Sequence, residues 1–167
     1  EIRGDLIGKL YRVLDAKGRY IEFAKASIKS TSLSGVKIVL DCAHGAAYRT
    51  APEVFRELGA DVIVLNDRPD GLNMNLNCGA LHPANMMEIV KNVKADIGIA
   101  LDGDADRVIV CDEKGNTLDG DQIIAICAVS MQERGTLKKN GVAVTVMANK
   151  GFDIKKKKKG IHVVKTK

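Results

Sequence analysis

Asp96-Ile-Gly-Ile-Ala-Leu101, Asp102-Gly-Asp-Ala-Asp106 and Arg107-Val-Ile-Val-Cys111 follow one another without a break, and their reading decides the fold. The two flanking runs are short and rich in branched residues, so each reads as a buried strand. Between them stand three carboxylates within five residues, which repel one another unless something positive sits among them. In an extended backbone residues i, i+2 and i+4 point the same way, so all three Asp share one face. Gly103 and Ala105 are small enough to let the loop curl until the oxygens converge. An all-oxygen cluster without His or Cys suits a hard cation, Mg²⁺ or Ca²⁺. The segment therefore reads as a divalent-metal loop at a strand end.

An EF-hand is the rival reading, because Asp102, Asp104 and Asp106 fall at positions 1, 3 and 5 of such a loop and Glu113 at position 12. Position 6 of an EF-hand is the glycine that makes the sharp turn, and here it is Arg107. Residues 108–111 are apolar where that loop needs ligands or solvent, and both flanks read as strands. The EF-hand fails. Arg107 instead offsets surplus negative charge or holds a phosphate.

Outward from the loop, strands alternate with helices. Val36–Leu40 is a strand with a turn, Asp41-Cys-Ala-His-Gly45, at its carboxyl end. A helix follows from about Ala51, with Pro52 tolerated in the first turn and Val54, Phe55 and Leu58 as its buried stripe. Gly59 suits the stop, and Asp61–Leu65 is the next strand. Residues 66–82 form a long polar loop, a length more often functional than decorative. A second helix spans about Pro83 to Lys94, with Met86, Met87, Ile89, Val90 and Val93 inward. Glu113–Asn116 is a hairpin turn, and Asp119-Gly-Asp-Gln122 caps a helix to about Arg134. Val142–Met147 and Ile161–Val164 are further strands. Upstream, Leu10–Asp15 is a short strand, Arg19–Ala26 a helix with Tyr20, Ile21, Phe23 and Ala24 near one face, and Ser27–Ser34 a linker. The alternation argues a three-layer α/β/α sandwich with a mixed, mostly parallel sheet.

The 167 residues suffice to bury a core. No apolar run approaches the roughly 20 residues of a membrane span, and no secretory leader is read at the start, so no membrane partner is expected. Cys42, Cys78, Cys111 and Cys127 form no C-x-x-C pair. Cys42, Cys111 and Cys127 have apolar neighbours, which favours core thiols in a reducing cytoplasm over disulfides or zinc. The net charge is +5, with 26 basic and 21 acidic residues interspersed except at Lys155–Lys159. With three Phe, three Tyr and no Trp, stacking platforms are scarce, and no nucleic-acid partner is expected.

Asp102-Gly-Asp-Ala-Asp-Arg107 followed by Asp119-Gly-Asp121 resembles the metal-loop region of the α-D-phosphohexomutases. Asp41-Cys-Ala-His-Gly-Ala46, Pro69-Asp-Gly-Leu-Asn-Met-Asn75, Cys78-Gly-Ala80 and Met147-Ala-Asn149 extend the resemblance to the family's bacterial phosphoglucosamine mutases. It runs almost continuously over residues 7 to about 154 and 160–167. The resemblance implies a four-domain isomerase interconverting glucosamine 6-phosphate and glucosamine 1-phosphate, for amino-sugar and cell-wall precursor synthesis. A phosphoserine donates its phosphoryl group, a sugar bisphosphate forms, and the phosphate returns. Mg²⁺ would bridge that phosphoserine and Asp102, Asp104 and Asp106, while Arg107 would contact the phosphoserine loop.

By the same resemblance, residues 1–34 are the tail of a first domain plus linker. Residues 35–167 are a second, metal-binding domain ending at the junction to a third. The partners implied are a phosphosugar substrate and the remaining domains of the same enzyme. This chain alone is then expected to be inactive and its metal affinity weak. The metal loop is shared with phosphomannomutases and phosphoglucomutases, which stay open as alternatives, as does a non-catalytic cation- or polyanion-binding module. The lysine run departs from the family pattern, since a helix from Gly151 would bury only Phe152 and Ile154.

His44, in the turn after the first strand, is expected to take a hydrogen-bonding role rather than a catalytic one, and His82 and His162 show no partner pattern. Asn73 and Asn75 are candidates to line the cleft or to stabilise their loop. Asp119 and Asp121 read as cap residues. Mutual repulsion is expected to make the three loop aspartates hold protons more tightly than isolated Asp.

Overall fold

Branched residues at consecutive positions commit the first strand, β1 (Lys37–Asp41), to burial on both faces at once. Ile38 and Leu40 point into one apolar cluster and Val39 into another. The computed structural model describes residues 8–28, 32–148 and 160–166. Around β1 they build a five-stranded sheet in the order β2-β1-β3-β4-β5, with β2 Asp61–Leu65, β3 Ile97–Leu101, β4 Val108–Asp112 and β5 Thr117–Leu118. β1 runs parallel to β2 and β3, whereas β3–β4 and β4–β5 are antiparallel.

Two helices cover the two faces. α2 (Ala51–Glu57) packs Phe55 over Ile38, Leu40, Ile97, Ile99 and Leu101. α3 (Ala84–Val93) buries Met86 and Val90 against Val39, Ala100 and Cys111. Gly98 lies under α3, and a Cβ there would overlap Met86, Val90 and Cys111. The small residues Gly98 and Ala100 thus let α3 approach β3 closely. The sandwich expected from the sequence is present.

α1 (Ala16–Ala26) lies on α2, where Lys17 and Lys25 each pair with a glutamate of α2 at 2.6 Å (Glu53 and Glu57). Of its expected apolar face only Ile21 is buried; Tyr20 and Phe23 are exposed. The strand expected at Leu10–Asp15 is absent, since no described strand pairs with it and Leu10 and Leu14 stand in solvent.

Beyond β5, Asp119 caps α4 (Gly120–Glu133): its carboxylate accepts from the Gln122 N–H at 2.7 Å while the Gln122 side chain accepts from the Asp119 N–H at 2.8 Å. The last strands, β6 (Gly141–Thr145) and β7 (His162–Thr166), pair in parallel with each other and not with the main sheet. Val144 of β6 packs with Ala125 of α4 in a separate cluster. Among the described residues, β6 and β7 form a two-stranded sheet of their own. Cys42, Cys78 and Cys111 are buried and free as thiols, but Cys127 is exposed, because α4 turns it away from Ala125 and Ala128. The lysine run and the helix expected from Gly151 lie outside the described residues.

Candidate metal centre

The strand ends β1, β3 and the start of β4 meet at one edge of the sheet. There Asp102 follows β3 directly and Arg107 precedes β4, so residues 102–107 form the tip of a β-hairpin. The tip is not extended but curled, as the small residues Gly103 and Ala105 were expected to allow. Ala105 adopts φ +61°, its N–H donates to the Asp102 carbonyl at 3.0 Å, and the Asp102 N–H donates to the Arg107 carbonyl at 3.3 Å. A tight turn, rather than strand alternation, brings the trio together. One carboxylate oxygen from each of Asp102, Asp104 and Asp106 lies within 4.8 Å of the others.

The three are not equivalent. Asp102 is only 1% exposed, whereas Asp104 and Asp106 face solvent. Arg107 holds Asp102 at two points, with its backbone N–H on Oδ1 at 3.0 Å and its Nε on Oδ2 at 2.7 Å. The Arg107 backbone N–H, more than its guanidinium, holds the Asp102 carboxyl below the usual range despite burial. Asp106 goes the other way, pushed up first by the Asp104 charge, then by desolvation and by Asp102. Repulsion therefore raises one member as expected, while Arg107 reverses the effect on another. Arg107 also lies 3.4 Å from Asp106, and its side chain stays 64% exposed, free to meet an incoming anion.

Neighbouring loops set the hairpin tip. The Ala46 N–H donates to the Gly103 carbonyl at 2.7 Å, an approach open only because Gly45 has no Cβ to strike that carbonyl. Asp41, fully buried, accepts from the Ala43 N–H at 2.8 Å and from the Gly79 N–H at 2.9 Å. Gly79, at φ +69°, sits against the Leu101 carbonyl and the Ala43 side chain. One buried carboxylate thus joins the 42–46 turn to the 66–82 loop behind the metal loop. Neither Asp41 nor Gly79 stood out in the sequence as a functional residue; the Asp at the end of a buried strand was the available signal.

The other candidates have local duties. His44 Nδ1 accepts from the Arg68 N–H at 3.2 Å, the hydrogen-bonding role expected of it. Asn73 accepts from the Asp70 N–H and donates to the Arg68 carbonyl, closing its own loop. Asn75 lies against Gly103. Along the α2 face of β3 and β4, a groove of about 450 Å³ lined by Phe55, Ile99 and Val110 ends at Asp106 and Arg107.

The donor set matches a hard divalent cation. Metal–oxygen distances of about 2.0–2.1 Å put the oxygens of an octahedral shell about 3 Å apart when adjacent and about 4 Å when opposite. A spread within 4.8 Å is close to that range, and the exposed Asp104 and Asp106 have room to turn inward. Asp102 keeps lone pairs beyond those given to Arg107, since an ionised carboxylate offers about four acceptor sites. Three carboxylates and one guanidinium leave a local charge of about −2 for a divalent ion to neutralise. Among the described residues, the buried Asn75 Oδ1 accepts no hydrogen bond, while the Asn75 side-chain nitrogen lies against Gly103 of this loop.

Comparison with known proteins gives consistent matches. Residues 18–115 match the model of phosphoglucomutase/phosphomannomutase alpha/beta/alpha domain II, and residues 119–167 that of domain III. The boundary between the two matched stretches falls at β5–α4, and most of α1 lies within the first. Similar proteins include phosphoglucosamine mutases of Geobacter sp. (strain M21) and Pelobacter propionicus, each 57% identical over 96% of this chain. Another, from Desulforamulus reducens, is 52% identical over 98% of it. The chain spans 36–37% of the length of these relatives. Among solved structures, a putative phosphomannomutase from Thermus thermophilus superposes with a TM-score of 0.78 over 96% of this chain and 38% of its own, at 21% identity. A phosphoglucomutase/phosphomannomutase family protein from Burkholderia thailandensis gives 0.76 over 90% of this chain and 33% of its own, at 24% identity. These two likenesses concern the fold.

Proposed function

This chain belongs to the phosphoglucomutase/phosphomannomutase family, and from that premise we propose that it is the metal-binding part of an isomerase that interconverts glucosamine 6-phosphate and glucosamine 1-phosphate. The observation that carries the reading is the convergence of the Asp102, Asp104 and Asp106 oxygens within 4.8 Å at a sheet edge. Identity of 50–57% to phosphoglucosamine mutases supports the glucosamine substrate over mannose or glucose.

In this reading Asp102, Asp104 and Asp106 hold Mg²⁺, which supplies Lewis-acid polarisation of a phosphoryl oxygen. Phosphoryl transfer asks a protein chiefly for positioning and charge stabilisation. Arg107 serves both ends: its backbone N–H and Nε fix Asp102, and the exposed remainder of its guanidinium meets the phosphoserine loop. Asp102 stays ionised because those donors favour its charged form. The phosphoserine, the phosphosugar contacts and the sugar bisphosphate step belong to the longer enzyme. The chain alone carries one wall of the site and turns over no substrate. Buried free thiols at Cys42, Cys78 and Cys111 support a cytoplasmic enzyme.

The test is a turnover assay on the longer polypeptide that contains this chain, offered glucosamine, mannose and glucose 6-phosphates in turn. Preferential formation of glucosamine 1-phosphate, lost in Asp104→Asn, supports the reading. Preference for mannose or glucose phosphate moves the assignment to a sister activity, and full activity in Asp104→Asn overturns the metal role.

A further inference from the structure

Asn75 stands where three segments meet. Its backbone is left-handed at φ +60°, a conformation asparagine tolerates better than most residues. Its N–H donates to the Ala43 carbonyl at 3.0 Å, tying it to the turn that Asp41 fixes. Its side-chain nitrogen lies 2.9 Å from where a Gly103 Cβ would stand, beside the Met74 sulfur. The 102–106 loop is therefore pressed from one side by Met74 and Asn75 and pulled from the other by the Ala46 N–H on the Gly103 carbonyl.

One atom is out of keeping with a purely structural part. Asn75 Oδ1 is buried and, among the described residues, accepts no hydrogen bond. An orphaned buried acceptor is unfavourable in a fold that gains nothing from it, and a glycine would hold the same backbone without it. Such a group in a native fold calls for an explanation, and service to a site is one.

We propose that Asn75 is a positioning residue for the aspartate trio: its side chain, packed against Gly103 at the expense of its own buried oxygen, holds Gly103 and through it the convergence of Asp102 and Asp104. The inference rests on the trio being a cation site. It assigns a working role to the 66–82 loop, which reaches the metal loop through this residue. Partners of this kind typically change metal affinity about 10- to 100-fold when removed.

The test is Mn²⁺ binding to the longer polypeptide that contains this chain, followed by electron paramagnetic resonance, with thermal unfolding in parallel. Asn75→Gly keeps the left-handed backbone and removes the side chain; it is expected to weaken Mn²⁺ binding about tenfold with little change in melting temperature. Asn75→Asp keeps a side chain of the same size against Gly103 and is expected to bind Mn²⁺ at least as tightly as wild type. Affinity in Asn75→Gly within about twofold of wild type overturns the inference while leaving the cation site standing, since true partners give about tenfold or more. If Asn75→Gly fails to fold, Asn75→Ser, which shortens the side chain without adding charge, decides: a loss of about tenfold supports the role, and affinity within about twofold of wild type overturns it. Wild type that takes up no Mn²⁺ overturns the inference together with the cation site, and is told apart by the wild-type trace alone.

Discussion

Arg107 grips Asp102 twice, once through its backbone N–H at 3.0 Å and once through its Nε at 2.7 Å. The grip makes Asp102 the fixed member of the trio, buried and anchored, while the exposed Asp104 and Asp106 have room to close on an ion. Arg107→Ala removes one donor and keeps the other. The expected outcome is a folded protein with a lower melting temperature and an Asp102 carboxyl titrating higher than in wild type. Carbon-detected NMR titration of the Asp side chains checks it; an unchanged Asp102 midpoint would contradict the grip.

Acid should act on the trio in two directions. The Asp102 pKa is depressed, so its stabilisation is present above the unfolded carboxylate value and is lost as pH falls through the lowered one. The Asp106 pKa is raised, so its ionisation opposes folding as pH rises through that value. Mg²⁺ should therefore raise the melting temperature more at neutral pH than near about pH 4, the ordinary carboxylate value. Calorimetric scans with and without Mg²⁺ across that range measure it, and a pH-independent increment would count against an ion among these carboxylates.

Asp41→Asn probes the brace behind the site. The carboxylate accepts from two buried backbone N–H groups, those of Ala43 and Gly79. An amide has one oxygen, so one donor would face an NH₂ group. The expected loss of stability is about 1–3 kcal/mol, measured by urea unfolding, with weaker divalent binding as a consequence. No loss would mean that the 66–82 loop is held by other contacts.

Much of this architecture was legible from residue order. The strands at Asp61–Leu65 and around Val39 and Ile99, the Met86/Val90 stripe and the Asp119/Gln122 cap follow from periodicity and capping rules acting locally. The features that escaped depend on distance in space. Leu10–Asp15 has strand-forming residues, but no described strand lies beside it. The run ending at Met147 continues the pattern of a strand, but pairing with β7 ends at Thr145, and Val146 and Met147 turn into solvent. Gly98 gave no sign in the sequence that α3 would press on it, because that contact needs the helix folded back over β3. The aspartates were recognisable as a cluster, yet their convergence comes from the turn at Ala105 and from Arg107, which alternation does not encode. The joining role of Asp41 needed the 66–82 loop folded back upon it.

The cysteines should separate by reactivity. Burial, and then the nearby charge of Asp41, push the Cys42 thiol up to about 12, whereas Cys127 is exposed. At neutral pH iodoacetamide should label Cys127 well before Cys42, because the thiolate is the reactive form. Peptide mass spectrometry reads the order, and equal rates would show that the 42–46 turn opens readily.

The most direct measurement is a Mg²⁺ titration of this chain followed by amide NMR, repeated in Asp104→Asn. Saturable shifts concentrated at residues 102–107, absent from the variant, are the result expected if the three carboxylates form the cation site. Shifts scattered over the surface, or the same curve in both proteins, would contradict it.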